Sequence, residues 1–524
     1  MFSIRRMKIL AFGLAAAVAI GACDDSGTDP DPQPPAAPGG VTATLSGADV
    51  TVSWSASSGA TSYRVQRRQV GGGAFADVAA SVTGTSYTDT GVAAGNTYQY
   101  QVIAVNADGA SPASALAEIA VPAENRTAIL NGTISGTRQL SADTTYTLQG
   151  IVTVEDGGIL RIPAGTLLLG DAAVQPTALI VRTGGQIFAE GTETNPIVFT
   201  SSRPAGQRVA GDWGGVVING LSQCNFPADE CVGEGSSGQY GGTDLADNSG
   251  VFKYVRIEYA GFEVSFGNEL NALTLNGVGS GTELHHVQTH DGLDDGFEWF
   301  GGTVDATHLI ATDISDDSFD YSTGWSGNGQ FWIALQNPDD ADTGFEVDGN
   351  EDDFDAQPFT NPNVWNVTLV GKGVGGQGGT AGESTIGMLL RRGTGGTVMC
   401  AIVTGFGTAG LDVDNPETVG RLTVGSSILF SNANDLSTDS DGFQATVWNA
   451  GAGNQIADPG LADPFDRDAP DFRPAATGPA ATGCPAPPAN SGLETVDYIG
   501  AVDPAATTPW YMAAWTRWGD PNAG

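Results

Sequence analysis

Carboxylates recur at a fixed interval in the middle of this 524-residue chain. A shift of 22 residues lays His286 on His308, Asp291 on Asp313, Asp294 on Asp316, Asp295 on Asp317 and Glu298 on Asp320. The chain's four histidines, His285, His286, His290 and His308, fall in the same stretch. Chemical identity repeating at a fixed period marks a stacked-repeat fold, and this period suits one coil of a parallel β-helix. Stacked strands sit ~4.8 Å apart, so each repeated acid becomes a column of carboxylates. Such columns repel unless a cation or a shared proton intervenes. Oxygen-only clusters of this density suit Ca2+, with Asp294, Asp295, Glu298, Asp316, Asp317, Asp320 and Glu346 as the expected ligands. The competing account is a solvated acidic ridge without metal.

Catalytic chemistry has fewer supports. Asp294 and Asp316 are candidates for acid or base work. His290, beside Asp291 and near Asp294, is the candidate proton carrier. Arg391 is expected between Asp348 and Asp414, either in an ion-pair ladder or as a base. His286 and His308 repeat at one coil position, which reads as a structural ladder. Trp325 and Trp332 lie near the acids in sequence and are expected to offer a sugar-stacking face, while Trp299 points inward.

A recurring five-residue strand positions these groups. Its copies begin at Gly215, Ala272, Gly296, Ser318, Gly344, Gly387 and Gly410, and positions two and four are apolar in every copy. Strand alternation sends those positions inward. The inward columns are Val216, Leu273, Phe297, Phe319, Phe345, Met388, Leu411 and Ile218, Leu275, Trp299, Tyr321, Val347, Leu390, Val413. Earlier coils show in the echo of Val154–Thr166 by Val181–Thr192. The long gaps 219–272 and 348–387 require loops that leave the stack, and such loops are often functional. The aromatic C-terminal segment with Trp510, Trp515 and Trp518 lacks the repeat and reads as a cap over the last coil.

Glycine is abundant, with 75 residues, and 60 acidic residues face 21 basic ones, a formal net charge of −39. That surface repels nucleic acid and attracts divalent cations. Residues 1–22 carry Arg5, Arg6 and Lys8 ahead of a short apolar core, the pattern of an export signal. Ile20-Gly21-Ala22-Cys23 resembles a bacterial lipobox, which implies lipidation of Cys23 and a membrane partner through that anchor. Residues 23–37, acidic and Pro-rich, form a tether. Among the remaining cysteines, Cys224 and Cys231 flank six residues of a Pro/Gly-rich loop and are expected to pair in an oxidising compartment. Cys400 and Cys484 are left either to pair or to stay free.

Residues 38–122 alternate apolar and polar positions over short strands. Val50–Trp54, Tyr63–Arg67 and Tyr98–Asn106 resemble a fibronectin type III domain, with Trp54 at the core Trp position and Tyr98 at the tyrosine corner. The remainder, 123–524, reads as the β-helix domain, and about residues 130–520 of it include Gly211-Asp-Trp-Gly-Gly-Val, Tyr254–Gly261, Asn268–Gly277 and Asp294-Asp-Gly-Phe-Glu. That stretch resembles a family of bacterial surface β-helix lipoproteins of unestablished reaction.

The expected fold is therefore all-β, a fibronectin type III sandwich followed by a right-handed parallel β-helix. The expected protein is exported and anchored at the outer membrane or cell surface, as a non-catalytic, Ca2+-stabilised module binding a polysaccharide or other cell-surface ligand. The alternative is a polysaccharide lyase or glycoside hydrolase. The pectate lyases of this architecture use Ca2+ with an Arg or Lys base, and its polygalacturonases use paired carboxylates. The polygalacturonase motifs Asn-Thr-Asp, Gly-His-Gly and Arg-Ile-Lys are missing from this sequence.

Overall fold

The computed structural model describes residues 33–46, 49–121, 126–227, 230–265, 268–374 and 384–519. The export signal, Cys23 and most of the tether lie outside them. The chain divides into two units, 1–124 and 125–524.

In the first unit, strands Thr42–Ser46, Asp49–Ser53 and Ser86–Asp89 form one antiparallel sheet. Ala76–Val82, Ser62–Gln69, Thr97–Asn106, Gly109–Ala110 and Ala117–Ala120 form the other. Alternation buries Val50, Val52, Trp54, Tyr63, Val65, Tyr98, Tyr100 and Val102 between them. Trp54 meets Tyr63 edge-on at 5.3 Å. The Tyr98 hydroxyl accepts the Ala93 N–H at 3.0 Å, the link that ties a tyrosine corner.

The second unit is a stack of parallel coils. Glu283–His290 supplies two faces of one coil, bent at His286, and Phe297–Phe300 supplies the third. Ala306–Thr312 and Phe319–Ser322 repeat the arrangement in the next coil. The 22-residue register holds: Phe297 pairs with Phe319, Glu298 with Asp320 and Trp299 with Tyr321. Both expected inward columns are buried to 1% exposure or less. The early echo is also a true coil register, since Val154 pairs with Val181.

Large rings fill the middle coils. Phe297 stacks on Phe319 at 5.3 Å, and Trp299 stacks on Trp325 at 5.2 Å and on Trp332 at 5.1 Å. The sugar-stacking expectation for Trp325 and Trp332 is thereby corrected. Both are fully buried, with indole N–H groups donating to the Val304 and Ala306 carbonyls. Proximity in sequence to the acids does not decide which side of the sheet a ring takes.

The bend at His286 belongs to a corner that runs up the stack. Tyr254, His286, His308, Phe331, Asn366 and Cys400 occupy it in successive coils, all with φ between 49 and 61°. A left-handed conformation costs a non-glycine residue energy, and face-to-face rings offset part of it here. His286 stacks on Tyr254 at 4.5 Å and on His308 at 4.2 Å. The histidine ladder thus sits on an outer corner of the coil.

The C-terminal segment covers that corner, which revises the expected cap. Residues 457–519 run back along the side of the stack. The buried side-chain amides of Gln330 and Gln288 each donate to the carbonyl and accept the N–H of one residue of the segment, Glu494 and Arg517 respectively. Trp510 and Trp515 meet the His286 ring edge-on, and a Cys400–Cys484 disulfide ties the segment to a coil. The end of the core is closed instead by the helix Phe443–Ala450, whose Val447 and Trp448 join the main apolar cluster.

Candidate cation-binding groove

The acidic groove lies on the outer side of the face carrying Phe297–Phe300, Phe319–Ser322 and Thr343–Asp348. Thr274, Glu298, Asp320, Glu346, Leu389 and Asp412 succeed one another at the same strand position. A long loop leaves the stack after Asn219 and walls the groove. Its Gln223 side chain donates to the Gly324 carbonyl, and the Asn225 amide donates to the Gly349 carbonyl at 3.1 Å. Those contacts carry the loop across later coils, and the expected Cys224–Cys231 disulfide closes it. Phe226, Glu230, Val232, Glu234 and Tyr240 face the stack across a cleft of about 410 Å³. The other expected gap, 348–387, is not one loop, since strand Asn363–Val370 of the stack interrupts it; its first part adds Asn350 and Glu351 at the far end of the groove.

The loop faces Glu298, Asp320 and Glu346, and most acids of the set lie out of solvent. Asp294, Asp295, Glu298 and Asp317 are 9%, 6%, 6% and 5% exposed, so they are not a solvated ridge. Their oxygens form a repeated pattern. Asp295, Glu298 and Asp320 make one triad, and Asp317, Asp320 and Glu346 make the same triad one coil later. Asp294, Asp295, Asp316 and then Asp316, Asp317, Asp342 repeat a second kind. Within each triad one oxygen from each carboxylate lies within 4.8 Å of the other two.

Two of the acids also have a backbone role. The Asp295 N–H donates to Asn271 Oδ1 at 3.2 Å, Asp317 N–H to Asp295 Oδ1 at 3.0 Å, and Thr343 N–H to Asp317 Oδ1 at 2.7 Å. Each side chain in this column accepts the amide of its successor. Asn271 also donates to Glu298. Asp320 Oδ1, by contrast, is sealed from solvent and has no hydrogen-bond donor among the described residues.

Burial is the largest cause of the acids' altered titration, and mutual repulsion adds to it. Asp294 is pushed up to about 8, by burial and then by Glu269, Asp316 and Glu234. Asp316 is pushed up to about 6, by burial and then by Asp342 and Glu346. Asp295, Glu298, Asp317 and Asp320 all rise well above the usual carboxylate range for the same two reasons. Glu234, on the loop, rises to about 7 through burial, Glu269 and Glu351. Arg391 ends the acidic run. Its guanidinium meets Glu346 and reaches Asp348 at 2.9 Å, and Arg392 reaches Asp348 at 2.6 Å.

The structure brings all seven expected metal ligands into this linked set of triads. His290 does not join it. Its Nδ1 meets Thr312 Oγ1 at 2.6 Å and its Nε2 meets the Gly519 carbonyl at 3.1 Å, under the C-terminal segment. Burial lowers its pKa. The expected proton carrier is therefore a buried tie between a coil and the C-terminal segment. Sequence reasoning missed Glu234 and Tyr240, because the loop that supplies them carries no repeat.

Residues 132–453, well over half of the chain, match the family described as a pectate-lyase-like beta helix domain. The chain belongs to that family. Residues 36–120 match the fibronectin type III domain. Curated relatives align only through the fibronectin part. An amylopullulanase of Thermoanaerobacterium saccharolyticum is 39% identical over 89 residues, covering 17% of this chain and 7% of that one. A poly(3-hydroxybutyrate) depolymerase of Delftia acidovorans is 43% identical over 91 residues, 17% of either chain. The chain thus spans a small part of the relatives it matches. Among solved structures, an Fn3-like protein from Clostridium thermocellum is 41% identical over 16% of this chain and 92% of that one, with a TM-score of 0.16.

Proposed function

We propose that this protein is a surface-anchored lipoprotein whose β-helix binds an extracellular glycan through Ca2+ held in the acidic groove. The observation that carries the reading is the repeated triad pattern along one walled groove, with a sealed, donorless oxygen at Asp320. Ca2+ takes six to eight oxygen ligands in flexible geometry, and adjoining triads supply oxygen ligands only. An ion there would offset repulsion that the fold otherwise bears, and its open coordination positions would accept sugar hydroxyls or carboxylates. A bare acidic groove would repel an acidic polysaccharide, so binding of that class depends on the cation. Burial of the acids favours a dehydrated ion site over a diffuse counter-ion layer.

Binding is preferred to catalysis because the acids are linked in continuous triads rather than separated into an acid and a base across a substrate. Arg391 and Arg392 are both engaged by Glu346 and Asp348. The full chain should be screened against acidic and neutral polysaccharides with Ca2+ and with chelator. Chelator-sensitive retention without new reducing ends or unsaturated products supports the reading. New products would establish the lyase or hydrolase alternative, and neither retention nor new products under either condition would reject both.

A further inference from the structure

A second cluster lies beyond the groove, where the stack ends. Asp412 is the last acid of the outward column, and Asp414 follows it on strand Ala409–Val413 and its exit. Asp439 approaches from the loop that leads into the closing helix Phe443–Ala450. One carboxylate oxygen from each of Asp412, Asp414 and Asp439 lies within 4.8 Å of the other two.

A cluster of acids alone would not indicate a ligand, but Asp412 adds an independent observation. It is 7% exposed, and its Oδ1 is sealed from solvent without a hydrogen-bond donor among the described residues. A buried carboxylate oxygen left unpaired is costly. Both neighbouring groups in the triad are acids, and the Ser437 side chain and the Val413 backbone offset only part of the burial and repulsion that raise Asp412. Arg391 acts on Asp414 more weakly than Asp441 and Asp439 do and is committed to Glu346 and Asp348.

The loop has a second property. Ser437, Asp439 and Asp441 place side-chain oxygens at alternate residues, and Gly442 follows with φ of 71° just before the helix. Alternate oxygens followed by a left-handed glycine recur in Ca2+ loops that open onto helices. The loop is braced from below, since the Gln444 amide donates to the Ser437 carbonyl at 2.6 Å. Burial raises Asp414, and Asp441 and Asp439 add to that rise, which brings Asp441 into the electrostatic neighbourhood.

We infer that Asp412, Asp414 and Asp439, with oxygens from the 437–441 loop, form a separate divalent-cation site that fastens the closing helix to the last coils. The site is distinct from the groove, and it stands whether or not the groove binds metal. The ion joins a loop of the cap to a strand of the stack. Without it, mutual repulsion pushes the loop away from Asp412 and loosens the cover over Val447 and Trp448.

The test is Ca2+ titration of the full, chelator-stripped chain by calorimetry, with limited proteolysis of the 431–442 loop read in parallel. Asp439→Asn with Asp441→Asn changes exposed side chains and should leave the fold intact. That variant should bind one ion fewer than the parent chain and lose Ca2+ protection of the loop. Asp294→Asn with Asp316→Asn, in the groove, should retain both the ion and the protection. Asp412→Asn should remove the same ion while raising cation-free stability, because it relieves the buried repulsion. The inference is overturned if the loop variant binds as many ions as the parent chain. It is equally overturned if Ca2+ leaves proteolysis of the loop unchanged in the parent chain.

Discussion

The backbone amide of Asp317 donates to the Asp295 carboxylate one coil earlier, at 3.0 Å, and both side chains are buried. An aspartate is therefore used where an asparagine would satisfy the same N–H, as Asn271 does for Asp295 in the preceding coil. The charge at Asp295 and Asp317 is not required by the backbone ladder. Asp295→Asn should keep the acceptor, remove a repulsive charge and melt at or above the parent temperature without Ca2+. Asp295→Ala should strand the Asp317 N–H at a cost of about 1–3 kcal/mol. Thermal unfolding of the two variants in chelator separates the roles.

The same acids set a pH dependence with a defined sign. Asp294 and Asp316 have folded pKa values raised to about 8 and about 6. A raised acid gives its full relative stability below the unfolded pKa and loses it as pH rises through the folded value. Cation-free stability should therefore fall between about pH 4, the unfolded carboxylate range, and pH 8. Asp294→Asn with Asp316→Asn should flatten that fall, and Ca2+ should do the same. Chelated melts from pH 4 to 8 give the slope directly, and a parent chain whose stability rises across this interval contradicts the account.

The histidine corner acts in the opposite direction. Burial lowers His286 to about 3 and His308 to about 4, with repulsion from neighbouring histidines adding to it. A base with a depressed folded pKa loses its stabilising contribution as pH falls from its unfolded value, about 6.5, through the folded one. His308→Phe should keep the stacking at the corner and reduce the loss of stability below pH 6. Melts of this variant and the parent chain between pH 3 and 7 should converge at the upper end.

The fold was legible where local chemistry and stacking coincide. Positions two and four of each strand alternate because one side of the sheet is core, and a 22-residue coil brings like rings together. The acid columns followed from the same register. Their burial did not, because the loop that faces Glu298, Asp320 and Glu346 has no repeat and is fastened by Asn225 and by Cys224–Cys231. Trp325 and Trp332 misled because nearness to the acids in sequence does not fix the side of the wall a ring takes: Trp325 lies between strands and Trp332 is on the strand Asn328–Leu335, and both point into the coil. The path of the C-terminal segment was hidden because Gln288 and Gln330 bind it through backbone groups, which leave no trace in side-chain pattern. The Asp412 cluster escaped notice because Asp439 lies outside the coil register.

Core register is tested by a contrast. Phe319→Asp buries an unpaired carboxylate and should cost several kcal/mol. The outward position Ser322 is a poor control, being only 8% exposed beneath the groove loop. Thr423, exposed on strand Leu422–Gly425, serves instead, and Thr423→Asp should change stability by no more than about 0.5 kcal/mol. Chemical denaturation of the two should show midpoints far apart.

The Cys400–Cys484 disulfide closes 84 residues of sequence and holds the C-terminal segment against the corner. Chain-entropy arguments give such a closure about 4–5 kcal/mol. Replacing both cysteines with serine should lower the melting temperature and expose residues 457–519 to protease before the coils unfold. Simultaneous cleavage of segment and coils would show that the Gln288 and Gln330 pairs hold the segment unaided.

The cation proposed among the groove acids should stabilise the fold, and a Ca2+-dependent melt reads that stabilisation. Asp439→Asn with Asp441→Asn should be the background, so that the site at the end of the stack does not contribute. In that background, millimolar Ca2+ should raise the melting temperature, with about 2.7 kcal/mol gained at a hundredfold excess over Kd. Adding Asp294→Asn, Asp295→Asn, Asp316→Asn and Asp317→Asn should raise cation-free stability and abolish the Ca2+ response. A melting temperature indifferent to Ca2+ before those four changes, or equally responsive after them, would contradict the account.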